Sequence, residues 1–546
     1  MVRWPARRRN CRRRSNPESR KPLFPLFPEP RLIGDQINIP HNSLFMPPDQ
    51  LHWSYHLFST IFLLADLTIR IGLSVRVIMR RRPYPITLAW LVVILLVPFA
   101  GGFFYLLFGE NRLSDKRTAR ILLSVPHYQH WLQTLHGRAP VQWQRLNPEC
   151  SHLHQQAVAL AGIPALDGNA LELIDSPEGI LKAIIDDIEQ ARSTCHLQFY
   201  IWEEGGMVNE VMAALVRANI RGVSCRLLLD AIGSRDFLRS KTAKTMRAAG
   251  IRIQESLPAS IYSTLFARID IRNHRKLVVI DGRIAYTGSQ NMVDPSVFKQ
   301  DAGVGTWIDL MVRIRGPVVE ALAGTFVNDW FLDADIRHFR PKSVREDIDT
   351  VRRIADIHPS TSVGKIAVQL VPSGPGLTQD SIHSLLLATI YAARRELVLT
   401  TPYFIPDEPL LIALKAAAQR GVAVRIIVPA KNDSRLVEYA SRARFEELVS
   451  AGVTILQFTG GLLHAKTITI DGDIALVGSV NLDMRSFWLN FEATLFIYDP
   501  TFTNSLRHLQ QRYADQSVPL DSRALADRPR FERFRENLAL LIGPLL

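Results

Sequence analysis

Asn273-His274-Arg275-Lys276-Leu277-Val278-Val279-Ile280-Asp281-Gly282, followed by Gly288-Ser289-Gln290-Asn291, returns later in the chain as His464-Ala465-Lys466-Thr467-Ile468-Thr469-Ile470-Asp471-Gly472, followed by Gly478-Ser479-Val480-Asn481. Both copies read H-x-K-x-x-x-x-D-G and then G-S-x-N at the same offset. The β-branched runs after each Lys read as short strands, and Asp-Gly as the tight turn of a hairpin. On a strand, positions i and i+2 share a face, so His274 projects with Lys276 and His464 with Lys466. An imidazole beside an ammonium suits attack on a phosphate. Lys neutralises the phosphoryl oxygens, and His serves as nucleophile or proton donor near neutral pH. One such pair on a strand is usually a solvated face. Two copies with the same downstream Gly-Ser-x-Asn point to a site.

The repeat reaches beyond the motifs. Ala191 to Tyr200 corresponds to Ala393 to Pro402, each a helix end running into a strand. Arg221-Gly222-Val223-Ser224-Cys225-Arg226 corresponds to Arg420-Gly421-Val422-Ala423-Val424-Arg425, each a Gly-capped helix leading into a buried strand. The chain therefore holds two homologous α/β halves, about 165–345 and 360–530, and strands alternating with helices imply a mixed sheet flanked by helices on both faces. Asp309 follows the first motif and Glu492 the second. A carboxylate on the far nitrogen of an imidazole fixes its tautomer and stabilises its charged form. His196 reads as a satisfied core histidine.

Paired H-x-K-x-x-x-x-D motifs resemble the phospholipase D superfamily, over roughly residues 165–546. The resemblance implies that two half-sites meet around one phosphate across a pseudo-twofold axis. It makes His274, Lys276, Asp281, His464, Lys466 and Asp471 the catalytic set, with His274 as nucleophile and His464 as general acid. The two aspartates sit at the turn and support the motif. Asp309 and Glu492 orient the histidines. Asn291 and Asn481 join the lysines in holding phosphate oxygens, with Ser289 and Ser479 close by. Two ammonium groups take the place of a metal, so no cofactor is expected.

Of the net charge of +13, residues 1–21 carry +8, so the remaining charge does not demand a nucleic-acid groove, and no nucleic-acid partner is expected. The four cysteines lack metal-ligand spacing, and Cys195 and Cys225 read as buried thiols. Residues 1–45 are Arg-rich, then Pro-rich, and read as a disordered leader. Two apolar stretches follow within 46–110. Leu57 to Val75 contains Asp66 and Arg70, whereas Ile86 to Phe108 is uncharged. Both approach the roughly 20 residues of a membrane span, and together they read as a transmembrane hairpin. The link Arg80-Arg81-Arg82-Pro83 is basic, but so is the far flank at Arg112, Lys116, Arg117 and Arg120, so the charges leave the orientation open. Residues 111–164 read as a connector and 531–546 as a C-terminal tail.

An N-terminal apolar hairpin ahead of two phospholipase D halves resembles the bacterial cardiolipin synthase family. Local runs agree: Thr401-Pro402-Tyr403-Phe404-Ile405-Pro406, Asn481-Leu482-Asp483-Met484-Arg485-Ser486 and the ending Gly543-Pro544-Leu545-Leu546. The family implies an integral protein of the bacterial inner membrane, multi-pass. Its phosphatidyltransferase activity passes a phosphatidyl group from one phosphatidylglycerol to another, through a phosphohistidine. A membrane-tethered hydrolase or nuclease using water as acceptor is the alternative.

Overall fold

The computed structural model describes residues 48–80, 84–110, 113–258, 268, 270–333, 357–376, 381–541 and 543. The leader 1–45, the link residues Arg81, Arg82 and Pro83, and the ending Pro544-Leu545-Leu546 lie outside the described residues. The chain divides into two units, Met1–Thr68 and Ile69–Leu546.

Helix α1 (Pro48–Met79) runs 32 residues across the boundary between these units. In the first unit it exposes Phe58, Ile61, Phe62, Leu63 and Leu64. The second apolar stretch does not form one 23-residue helix. It breaks into α2 (Tyr84–Leu96) and α3 (Ala100–Phe108) around Pro98, with Phe99 at a φ of 50°. Pro98 lacks the N–H that a continuous helix needs. The two helices fold back on each other. The rings of Trp90 and Tyr105 lie 5.4 Å apart, and a Cβ on Gly101 would meet the Val93 carbonyl at 2.2 Å. Only glycine permits that approach. The tip lies beside α1, where Arg70 donates to the Leu95 carbonyl at 2.5 Å. At the other end, Arg76 grips Glu110 through two hydrogen bonds of 2.7 and 2.9 Å, and Tyr105 adds a third at 2.7 Å. Residues 84–110 thus enter and leave at the same end. Thirteen residues of α2 reach only about 20 Å, against roughly 30 Å of bilayer hydrocarbon. Among the described residues, no helix is both long and apolar enough to cross a membrane.

The region from Leu166 to Pro519 forms one continuous mixed sheet. The first half supplies β1 (Leu166–Ile174), β2 (Thr194–Phe199), β3 (Ser224–Asp230), β4 (Arg252–Ser256), β5 (Leu277–Ile280), β6 (Ile284–Gly288) and β7 (Met311–Arg315). The second supplies β8 (Ile366–Ser373), β9 (Glu396–Thr400), β10 (Ala423–Pro429), β11 (Thr454–Phe458), β12 (Thr467–Ile470), β13 (Ile474–Gly478) and β14 (Asn490–Tyr498), with β15 (Ser517–Pro519) at the edge. From the centre outward the first half runs β1-β7-β6-β5-β2-β3-β4, and the second runs β8-β14-β13-β12-β9-β10-β11. Each strand has its counterpart seven places on. The halves join where β1 pairs antiparallel with β8. Strands β2-β3-β4 of the first half and β9-β10-β11 of the second are parallel, the inner strands are antiparallel, and the edge strand β15 joins β11 antiparallel.

One face of the sheet carries a core shared by both halves. It is covered by α7 (Val318–Asp333) and its counterpart, placed here as α11 (Pro500–Asp515), and it packs Val279, Val312, Leu370 and Leu495 together with Phe326 and Leu506. On the other face each half has its own core. In the first half, α5 (Pro177–Gln190) and α6 (Met207–Ile220) cover it. In the second, α8 (Ser381–Ala392) and α9 (Glu408–Gln419) do so. The connector holds α4 (Asp115–His136), which packs on α7: Arg117 pairs with Asp333, and Trp131 donates to Glu320 at 3.3 Å. Residues 531–546 are more than a tail, because a helix, Arg530–Leu541 (α12), docks on α10 (Arg435–Ser450). Cys150, Cys195 and Cys225 are buried free thiols. His196 is buried, with Nε2 2.9 Å from Arg226 and its ring stacked on Phe326. Its Nδ1 has no partner among the described residues, so the satisfaction is partial.

Candidate active site

Each motif leads into a fully buried strand, β5 or β12, and the His and Lys sit on the extended segment just before it. Leu277, Val278, Val279 and Ile280 fix β5 in the core, Ile468 and Ile470 fix β12 with Thr467 and Thr469 bonded to Gln510, and each strand holds its polar pair at its mouth. Asp281 and Gly282 both take positive φ, 50° and 59°, and so do Asp471 and Gly472 at 54° and 82°. This is the turn geometry that matches strand twist. Asp281 accepts from the backbone N–H groups of Arg192, Ser193 and Thr194 at 2.8 to 2.9 Å. Asp471 accepts from those of Arg394, Arg395 and Glu396 at 2.7 to 2.8 Å. The motif aspartates therefore tie each hairpin to the loop ahead of β2 or β9. Asp281→Ala removes these three hydrogen bonds and a fourth from the Ser193 hydroxyl at 3.0 Å, and leaves alanine at positive φ, so about 2 kcal/mol of stability is expected to be lost. A lowered thermal midpoint with activity per folded molecule kept within about threefold is the expected result.

The two half-sites are built by exchange between the halves. The short strand Arg272–Asn273, just before His274, pairs in parallel with Asn490–Phe491, just before Glu492. Likewise Leu462–Leu463, just before His464, pairs with Trp307–Ile308, just before Asp309. The His274 N–H donates to the Phe491 carbonyl at 2.9 Å, and the His464 N–H to that of Ile308 at 2.8 Å. These pairings set each carboxylate of one half against the histidine of the other. His274 Nδ1 lies 2.9 and 3.0 Å from the Glu492 oxygens, and His464 Nδ1 lies 2.7 Å from Asp309 Oδ1.

Both carboxylates are buried, which opposes ionisation. The facing histidines and the nearby lysines outweigh this and hold Asp309 and Glu492 below the ordinary carboxylate range. An ionised carboxylate accepts the proton on Nδ1, leaving a lone pair on Nε2. Burial pushes both His274 and His464 down to about 4, despite their carboxylates. Each histidine also feels the lysine of the opposite motif, so the four groups share one site.

Lys276 donates to the carbonyl of His274 at 2.7 Å and Lys466 to that of His464 at 2.6 Å. Burial lowers Lys276 to about 7 and Lys466 to about 8. Below these values the site carries two ammonium groups to receive an anion, and above them it loses both. Affinity for a phosphodiester is therefore expected to be full well below pH 7 and to weaken as the pH rises through about 7 and then about 8. Glycerophosphoglycerol, whose charge is constant in this range, is the probe, and its competitive inhibition constant is the measurement.

Ser479 donates to Glu492 and Ser289 supports Asp309, so these hydroxyls back the carboxylates. Asn291 accepts from the Ile201 N–H at 3.2 Å. The Asn481 side-chain oxygen is buried with no partner among the described residues. Arg275 escaped the sequence reading. It is 1% exposed, donates to the carbonyls of Glu492 (2.9 Å) and Ser373 (3.1 Å), and pairs with Asp329. It faces away from its neighbours and ties the first motif to β14 and β8. The walls are aromatic: Tyr200 stands 5.0 Å from the His274 ring, Trp307 4.7 Å and Tyr403 6.4 Å from that of His464. Tyr403 donates to Asp433 at 2.9 Å, and Lys299 of the first half reaches the same carboxylate at 3.5 Å. Among the described residues, no group of three or more His, Cys, Asp or Glu could hold a metal.

Comparisons with known proteins agree on a family. The model described as cardiolipin synthase, PLD-like domain, matches residues 184–330 and 386–513. That described as phospholipase D-nuclease N-terminal matches residues 69–110. Cardiolipin synthase A of Yersinia pseudotuberculosis serotype O:1b (strain IP 31758) is 44% identical over 475 residues, 87% of this chain and 96% of that protein. The Yersinia pestis protein of the same name matches to the same extent. Among solved structures, phosphatidylserine synthase from Haemophilus influenzae Rd KW20 superposes with a TM-score of 0.54 at 17% identity, covering 73% of this chain and all of that one. At that identity the likeness is one of fold.

Proposed function

The chain belongs to the cardiolipin synthase family with phospholipase D-like domains, and on that premise we propose that its cross-paired histidines carry out a phosphatidyl transfer. As a cardiolipin synthase it takes two phosphatidylglycerol molecules to cardiolipin and glycerol. The observation that carries the chemistry is the exchange of carboxylates between halves, which leaves two Nε2 atoms free at one buried site with two lysines.

His274 Nε2 attacks phosphorus, and the bond to the glycerol oxygen breaks. His464, protonated, gives that oxygen its proton, and glycerol leaves. A phosphatidyl group now sits on His274. The terminal hydroxyl of a second phosphatidylglycerol enters and loses its proton to His464. Its oxygen attacks phosphorus, the P–N bond breaks, and both histidines return to their starting states. Lys276 and Lys466 meet the phosphoryl oxygens throughout, and Asn481 offers a further polar contact. With both carboxylates ionised, both lysines charged and both histidines neutral, the empty site has no net charge. The arriving diester brings one negative charge, which favours the proton that His464 must hold.

The N-terminal helices serve as the membrane anchor. Helix α1 is about 48 Å long and carries exposed Phe, Leu and Ile side chains. The pair α2–α3 dips in and returns. This arrangement puts Arg80 and the start of α4 at the same end of the fold. Retention in the membrane fraction after alkaline carbonate washing supports the anchor, and release into the supernatant overturns it.

The deciding assay follows phosphatidylglycerol, radiolabelled in its acyl chains, with the protein in mixed micelles. Label in cardiolipin with release of glycerol supports the transferase. Label only in phosphatidic acid makes water the acceptor and overturns it.

A further inference from the structure

Helix α12 (Arg530–Leu541) has no part in the chemistry above, yet it carries an apolar face in water. Phe531, Phe534, Leu538 and Leu541 recur at helical spacing on one side. They are 68%, 62%, 49% and 78% exposed. The helix is not loosely attached. Ala539 and Glu536 on the opposite side are 3% and 2% exposed, and Glu536 is held by Arg442 at 3.0 Å and by Arg528. Its orientation is therefore fixed, and the apolar stripe points outward because the other face is already docked.

We propose that α12 is an interfacial helix that seats this stripe in an anionic bilayer at the edge of the active site. The inference rests on the reading that the substrates are anionic lipids, and adds the surface that meets them. Three observations carry it. First, the charge beside the stripe is positive: Arg530 borders it, and the Arg535 guanidinium lies 5.9 Å from the Phe531 ring and 4.6 Å from that of Tyr439. The acidic residues of the helix face Arg442, so they do not offset that charge. Apolar side chains flanked by arginine are the pattern of a helix lying in the headgroup boundary of anionic lipid.

Second, the docked side of α12 shares a wall with the site. Ala539 and Leu540 pack with Ile405, Val437 and Tyr403, and Tyr403 is the ring 6.4 Å from His464. Third, the opposite flank of the site borders the anchor. Arg117, in the helix that follows the re-entrant pair, lies 4.8 Å from the ring of Phe491, which precedes Glu492. The site thus lies between two elements suited to lipid. A second copy of the chain is a poor occupant, because a twofold contact through this stripe would bring Arg530 and Arg535 towards their own copies.

The test uses the full chain, whose anchor keeps it on membranes in every variant. Phe531→Ser/Phe534→Ser/Leu538→Ser is compared with the wild type on phosphatidylglycerol in vesicles and on dihexanoyl phosphatidylglycerol dispersed as monomers. A loss of tenfold or more on vesicles with less than a twofold change on monomers is the expected result. Equal activity on vesicles overturns the proposal, and so does equal loss on both, which would make the stripe structural. A companion probe reads docking without turnover. Phe534→Cys, made with Cys11→Ser and labelled with an environment-sensitive dye, should be quenched by brominated phosphatidylglycerol vesicles. An unquenched dye overturns the proposal, and a halved mass in the triple variant would assign the stripe to a second copy instead. Should wild-type protein give no transfer on either substrate, the synthase reading fails while the dye still decides whether α12 meets the bilayer.

Discussion

His274→Ala and His464→Ala are each expected to lower cardiolipin formation by at least about four orders of magnitude, because the two imidazoles act as one unit on one phosphate. They should fail at different steps. A phosphatidyl ester of p-nitrophenol separates them, since nitrophenolate leaves without needing a proton. His464→Ala should release a burst of about one nitrophenolate per site and then stall with the phosphatidyl group on His274. His274→Ala should give no burst. The opposite pattern would make His464 the nucleophile. A steady residual rate in both would mean that water or another side chain attacks phosphorus, and the phosphohistidine would be abandoned. Folding is a minor concern, because each imidazole stands at the mouth of a strand whose four buried residues remain in place.

How much of this was legible in the sequence follows from the range of each signal. The hairpins, the Asp-Gly turns and the duplicated halves rest on neighbours within about ten residues, and those stand in the structure as read. The positive φ values at Asp281 and Asp471 are the local price of the turn that Asp-Gly announced. The exchange of carboxylates was not legible. His274 meets Glu492 across 218 residues and His464 meets Asp309 across 155, and nothing in a repeat says whether its parts pair within a copy or between copies. The single continuous sheet has the same cause, because its closure depends on β1 meeting β8.

The apolar stretch after residue 85 was misread for another reason. Counting uncharged residues gives a span, but Pro98 with Gly101 and Gly102 permits a fold-back, and packing against α1 selects it. The residues past 530 were passed over because their apolar positions are exposed. The spacing of Phe531, Phe534, Leu538 and Leu541 was nevertheless a helical signal. Arg275 was hidden between two motif residues, and its burial shows only once β14 and β8 are placed beside it.

Glu492→Gln is expected to lower transfer by about a thousandfold or more while leaving the chain folded. The amide keeps the size of the side chain and one acceptor oxygen, but it loses the charge. It also offers N–H donors, so His274 can present Nδ1 as acceptor and carry its proton on Nε2, the wrong tautomer for attack. Glu492 further supports Lys276, whose ammonium form it favours, so the variant should weaken phosphate binding at a lower pH than the wild type. The exchange between halves makes a sharper claim. Glu492 lies in the second half but serves the first-half histidine, so Glu492→Gln should abolish the nitrophenolate burst, as His274→Ala does. Asp309→Asn lies in the first half but serves His464, so it should keep the burst and block the second step. Were each carboxylate to act within its own half, the two variants would trade phenotypes. The burst assay therefore tests, with two conservative substitutions, whether one active site is assembled from both copies of the repeat.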